Sequence, residues 1–205
     1  DKGASVLNQL SHYTGQENFR LGVSNYLKKH AWGNTELADF IHAQSKQSGL
    51  ELDSWSEDWL YNAGVNKIKA DYSCENGRIN RFEILQSAPE GFTTLRSQRL
   101  QLALFDTKNA EMKPFAVIPV FISAANTPIA EVLEMDCPYL VYPNYQGWGY
   151  TEVELDKISQ ENAFAAIEKA SDPLLKSMLW TSVLNNPDIV FENYISSIKN
   201  EQNDR

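Results

Sequence analysis

Apolar positions recur with a period near 3.6 residues from Val6 to about Gly64, near 2 from there to Leu155, and near 3.6 again towards the end of the chain. The first regime predicts four amphipathic helices. Val6, Leu7, Leu10 and Tyr13 share one face of a helix over Gly3 to Tyr13. Thr14 and Glu17 have capping-box spacing for a second helix, with Phe19, Val23, Tyr26, Leu27 and His30 along its stripe. Asn34 or Thr35 can cap a third helix carrying Leu37, Phe40 and Ile41, which Gly49 stops. Ser54 with Glu57 can cap a fourth, in which Trp55 and Trp59 fall at i, i+4.

The second regime predicts strands. Ile68, Ala70 and Tyr72 alternate with polar residues, Asn76-Gly77 is a hairpin turn, and the extended pattern resumes over Ile79 to Leu85. Leu100, Leu102 and Leu104 mark a third strand. Phe115 to Ile122 is a fourth, on an edge or at a bulge because Pro119 cannot donate to a ladder. Ile129, Glu131 and Leu133 share the face of another, Tyr139 to Tyr142 form a short buried one, and Thr151, Val153 and Leu155 close the series. Roughly six to eight short strands at this spacing predict a small antiparallel β-sandwich. Helices return with Phe164 and Ile167, then with Leu174, Leu175, Met178, Leu179 and Val183 behind the Asp172-Pro173 start signal. Asn186-Pro187 announces a last helix through Tyr194 and Ile198.

Charge and composition narrow the function classes. The net charge of -9, from 27 acidic and 18 basic residues, repels a phosphate backbone and argues against nucleic acid as a partner. No run of about 18 apolar residues is present to span a membrane. The segment is expected to be soluble, with the cytoplasm favoured. Cys74 and Cys137, 63 residues apart and without a Cys-x-x-Cys partner, read as two free, buried or half-buried thiols rather than a disulfide.

His12, His30 and His42 lack the His-Glu-x-x-His spacing that puts two imidazoles on one helix face around zinc, so no local zinc site is expected. His30 reads as a packed, hydrogen-bonded histidine, His12 and His42 as surface residues. Glu51, Asp53, Glu57 and Asp58 lack the central glycine of a calcium loop and read as a solvated helix face. No Gly-x-Ser-x-Gly elbow and no phosphate-binding glycine loop occurs. No catalytic, cofactor-binding or metal-ligating residue is therefore assigned within the chain. The aromatic, glycine-rich stretch Pro143 to Tyr150 reads as a packed turn, with a ligand platform on Tyr145, Trp148 and Tyr150 as the alternative.

Three blocks then carry a resemblance: Asp1-Lys2-Gly3-Ala4-Ser5-Val6-Leu7, Gly15-Gln16-Glu17-Asn18-Phe19-Arg20-Leu21-Gly22, and Tyr26-Leu27-Lys28-Lys29-His30-Ala31-Trp32-Gly33-Asn34. In order and spacing they resemble the segment after the zinc site in the aminopeptidase N family of gluzincins. Trp55-Ser56-Glu57-Asp58-Trp59-Leu60 is similar to the tryptophan-bearing helix that closes that family's thermolysin-like domain. Ala63-Gly64-Val65-Asn66 stands where many members have Gly-Tyr-Pro, which suggests a bacterial subgroup.

The resemblance implies an α+β, multi-part chain. Residues 1–64 would be the helical end of a thermolysin-like catalytic domain, 65–155 a small antiparallel β-sandwich, and 156–205 the first helices of an α-helical domain. It also implies zinc in the parent enzyme, peptide substrates, and zinc ligands, general base and transition-state tyrosine all ahead of Asp1. None of those residues can be carried onto this chain. The segment itself is expected to be scaffold: without bound zinc, inactive alone, and prone to self-association through helix faces such as Val6, Leu7 and Leu10. The alternative is a non-catalytic interaction module whose sandwich binds peptide or glycan.

Overall fold

The computed structural model describes residues 2–108 and 111–185. Helices α1 (Lys2–Thr14), α2 (Gln16–Lys29) and α3 (Leu37–Ser48) are followed by the short α4 (Asp53–Ser56), which runs on as a π-helical turn over Glu57–Tyr61. Val6, Leu10, Ile41, Leu52, Trp55 and Trp59 form one buried cluster, with Tyr13, Phe19, Phe40, Leu60 and Tyr150 packed against it. Val6 and Leu10 are thus covered by the chain's own residues rather than exposed. Leu7 alone of the three faces solvent, at 47% exposure.

The helix starts differ from the pattern-based expectation. Thr14 is still inside the last turn of α1, so its hydroxyl bonds back to the Leu10 carbonyl (2.8 Å) and leaves α2 without a side-chain cap. Helix α3 begins at Leu37, where the Glu36 amide donates to the Asp39 carboxylate (3.1 Å); Thr35 instead shares a hydrogen bond with the Tyr26 hydroxyl (2.6 Å). Ser54 lies inside α4, behind Leu52 at the cap position, so it does not start that helix. Gly49 closes α3 in the left-handed region, φ 72°, as expected. On α2 the expected stripe is interrupted: Leu27 is 61% exposed, and Gly22 is the buried position. A Cβ at Gly22 would stand 2.6 Å from Gln44 Oε1, so glycine sets the close approach of α2 and α3.

Seven strands follow: β1 (Lys67–Glu75), β2 (Arg78–Ser87), β3 (Gln98–Phe105), β4 (Ala116–Ile122), β5 (Asn126–Pro128), β6 (Leu140–Tyr142) and β7 (Glu152–Glu154). They form two sheets, ordered β5-β2-β1-β7 and β4-β3-β6. Asn76 and Gly77 both have positive φ (52° and 78°), as a two-residue hairpin loop requires. Strand β4 is an edge, with Pro119 opposite Gln101.

Two strand expectations are corrected. The sandwich is not wholly antiparallel, because β7 pairs parallel to β1 in the register Lys67↔Glu152. The chain reaching β7 is pinned at the start of β1, where Glu152 N and Thr151 Oγ1 both donate to the Asn66 carbonyl (2.9 and 2.6 Å), and from there it can only run alongside. That register places Lys69 2.7 Å from Glu154. Ile129 to Leu133 is not a strand but carries a 3₁₀ turn over Ala130–Val132: the buried pair is Ile129 and Val132, spaced i, i+3, while Leu133 is 40% exposed.

The sandwich core is continuous with the helices after it. Ile68, Phe82, Leu100, Leu102, Val120 and Val141 belong to the same buried cluster as Ala163, Ala166 and Ile167 of α5 (Lys157–Lys169) and Leu175, Leu179 and Val183 of α6 (Pro173–Leu184). Asp156 caps α5 by accepting from Ser159 N (3.0 Å), and Asp172 caps α6 by accepting from Leu174 N (2.9 Å) ahead of Pro173. The helix expected after Asn186-Pro187 lies outside the described residues.

Cys74 and Cys137 are not free thiols: they form a disulfide, with Cα atoms 6.0 Å apart. Their separation in sequence carried no sign of this. Backbone bonds from Cys137 N to Gly77 O (2.9 Å) and from Ile79 N to Met135 O (3.0 Å) bring the segment before β6 against the hairpin end.

Candidate functional site

The chemistry-bearing side chains concentrate at the junction where α1 and α4 meet the sandwich. Arg96, in the β2–β3 connection, is 3% exposed. Its guanidinium donates to the carbonyls of Asp58 (2.9 Å), Asn62 (2.9 Å) and Ala63 (3.1 Å), and it lies 5.5 Å from the Trp59 ring centroid. These are the carbonyls at the end of the π turn, which have no helical partner ahead of them. Burial pulls the Arg96 pKa down, and the Asp58 carboxylate opposes that shift. Asn66 completes the clasp, accepting from Arg96 N (3.1 Å) and donating to Thr94 O (2.7 Å), while Trp59 Nε1 donates to Ser97 O (3.1 Å).

A second set of contacts holds α1. The fully buried Gln9 donates to Arg99 O (3.0 Å) on β3, and Asn8 donates to Gly147 O (3.2 Å). His12 stacks on Trp148 at 3.9 Å between ring centroids with 8° between planes, and burial lowers its pKa. His12 is thus half-buried rather than free at the surface, where its sequence position suggested it. His42 is exposed, as expected, and His30 is half-buried with its ring 5.4 Å from that of Tyr26.

The loop from Pro143 to Tyr150 has its rings engaged within the chain. Trp148 is covered by His12, Tyr145 meets Phe105 edge-on (5.9 Å), and Tyr150 packs on the helical cluster. Asn144 clasps Gly149 from both sides, accepting from its amide (2.8 Å) and donating to its carbonyl (3.0 Å). A Cβ at Gly149 would stand 2.4 Å from Leu100 Cδ2.

The acidic residues do not converge. Glu51, Asp53 and Glu57 line an open groove of about 710 Å³ between α3 and α4 together with His42 and Lys46. Among the described residues no group of three or more His, Cys, Asp or Glu side chains is placed to hold a metal ion. No described helix is long and apolar enough to cross a membrane. Arg96, Asn66 and Gln9 carry the junction, yet none stands out in sequence. A buried arginine in a loop has the same flanks as a solvated one, and only the long-range pairing reveals it.

This arrangement, a helical block clasped to a mixed β-sandwich that two further helices cover, defines an α+β architecture with known counterparts. Over 97% of its length the chain matches 23% of the crystal structure of Legionella pneumophila aminopeptidase A in complex with aspartic acid, with a TM-score of 0.64 at 12% identity. That likeness concerns the fold. Residues 1–59 match the peptidase family M1 domain. The chain is 31% identical over 189 residues to aminopeptidase N of Streptomyces lividans, covering 88% of this chain and 22% of that one. It is 27% identical over 221 residues to mitochondrial aminopeptidase 2 of Saccharomyces cerevisiae, covering 98% and 21%. The chain belongs to the peptidase M1, or aminopeptidase N, family and corresponds to part of its much longer members.

Proposed function

We propose that this chain is the rear of a zinc-dependent aminopeptidase that removes N-terminal residues from peptides, and that its own part is to hold rather than to cleave. Residues 1–64 would close the catalytic domain, 65–155 would be the sandwich, and α5 and α6 would open the C-terminal helical domain. The observation that carries this reading is the family match over residues 1–59, in the very helices that Arg96, Gln9 and Trp148 fasten to the sandwich.

The family's zinc does not fit the residues present. His12 is stacked on an indole, His30 lies beside Tyr26, and His42 opens onto the α3–α4 groove, with no converging carboxylate set among the described residues. Under this reading the ligands come from polypeptide outside residues 1–205, and no chemical step is assigned to this chain. Its contribution is rigidity: a catalytic constellation tolerates displacements of only about 0.5 Å, and two buried clasps resist a hinge at the junction. The reading in which the loop from Pro143 to Tyr150 serves as a ligand platform is disfavoured by the stack of His12 on Trp148, which occupies one face of the indole.

Sequencing the gene upstream of the Asp1 codon tests the proposal. A His-Glu-x-x-His motif followed by a downstream glutamate is expected in the same reading frame; an open reading frame that lacks both would overturn it.

A further inference from the structure

We infer that this protein is built for an oxidising compartment, in which the Cys74–Cys137 bond is installed as a covalent bolt between the end of β1 and the segment that leads into β6. Cys74 sits near the end of β1, in the sheet ordered β5-β2-β1-β7, at the register irregularity between Ser73 and Cys74. Cys137 lies three residues ahead of β6, in the other sheet. The bond therefore ties one sheet to the chain that feeds the other.

The pairing does not depend on the bond to bring its sulfurs together. Cys137 N donates to Gly77 O (2.9 Å), Glu134 N to Ile79 O (2.9 Å) and Ile79 N to Met135 O (3.0 Å). The Arg78 guanidinium reaches both the Asp136 carboxylate (3.1 Å) and the Glu134 carbonyl (3.0 Å). Two thiols held this way are presented for oxidation as soon as the sandwich folds. The chain's two cysteines are both consumed in this bond. No group of His, Cys, Asp or Glu among the described residues stands ready to hold a metal instead. Disulfides of this structural kind persist where thiols are not kept reduced, outside the cytosol of ordinary cells. The inference thus runs against the cytoplasm favoured in the sequence reading.

The oxidant belongs to the class of thiol–disulfide oxidoreductases. One cysteine, as thiolate, attacks a sulfur of the donor's disulfide, forming a mixed disulfide and releasing one donor thiolate. The second thiolate then attacks this chain's own sulfur in the mixed disulfide, closing Cys74–Cys137 and releasing the other donor thiolate. The two cysteines lose two protons and two electrons, and the donor disulfide leaves as a dithiol. Both cysteines are half-buried, so a donor can reach the pair.

The test uses the whole protein from the cells that make it. Cells are fractionated and quenched in acid, the denatured protein is treated with a maleimide before and after reduction, and the peptides bearing Cys74 and Cys137 are read by mass spectrometry. The expected result is no label on either cysteine until reduction, one label on each afterwards, and recovery outside the cytosolic fraction. Two labels without reduction, or residence with a cytosolic marker, overturns the inference. The outcome is independent of any peptidase activity.

Discussion

Replacing Arg96 with alanine probes the junction most sharply. The side chain supplies a charged donor to three carbonyls at the end of the π turn, those of Asp58, Asn62 and Ala63 (2.9, 2.9 and 3.1 Å), and covers a face of Trp59. A hydrogen bond from a charged donor contributes about 1.5–3 kcal/mol, so three taken separately would sum to about 4.5–9 kcal/mol. They share one guanidinium, however, and its desolvation, visible in the lowered pKa, offsets part of that gain. Truncation would leave three carbonyls unpaired at about 1–3 kcal/mol each, and partial rehydration of the emptied site brings the loss expected for Arg96→Ala to about 3–5 kcal/mol. Arg96→Lys should recover only part of it, because a single ammonium cannot reproduce the planar fork of the guanidinium. Urea unfolding followed by tryptophan fluorescence and by far-ultraviolet dichroism measures both effects. The native chain should unfold in one transition on both probes, and Arg96→Ala should lower the midpoint and separate them. A loss below about 1 kcal/mol with the two probes still coincident would refute the idea that Arg96 couples the helices to the sandwich.

Reducing Cys74–Cys137 reopens a loop of 63 residues, and the loop-entropy relation puts the cost at about 4 kcal/mol; urea midpoints with and without reductant should show it, and a change within error would contradict it. Gly149→Ala drives a Cβ to 2.4 Å from Leu100 Cδ2 inside a packed core, and thermal denaturation should register a loss of about 1–3 kcal/mol. Burial under Trp148 holds the His12 pKa below its ordinary 6.5, so the stabilisation from neutral His12 is complete above 6.5 and is lost as pH falls through the lower folded value. Proton NMR of the three histidines should find His12 with a midpoint below 6.5, and Trp148→Ala should raise it towards that value.

What was legible in the sequence is what local periodicity encodes. Trp55 and Trp59 at i, i+4 do stack (6.0 Å) in the helical core, and Gly49 does end α3, because both depend on neighbours within a turn or two. The hairpin at Asn76-Gly77 and the edge position of Pro119 were readable for the same reason. Ile129 to Leu133 misled because five residues fit a period of 2 and an i, i+3 spacing equally well, and only burial of Val132 decides. The parallel pairing of β7, the Cys74–Cys137 bond and the Arg96 clasp each join positions 30 to 85 residues apart. No local pattern contains them. The family was legible from the resemblance carried by the blocks between Asp1 and Asn34, within the residues 1–59 that match the family domain.

On the function proposed above, this chain holds a peptidase together without performing its chemistry. The most direct measurement is zinc content and hydrolysis of an aminoacyl anilide, made side by side on the whole gene product and on residues 1–205 alone. Stoichiometric zinc and turnover are expected for the whole protein, and neither for the 205-residue chain. Tight zinc and measurable turnover in residues 1–205, or a whole protein that binds no zinc and leaves the anilide intact, would contradict it.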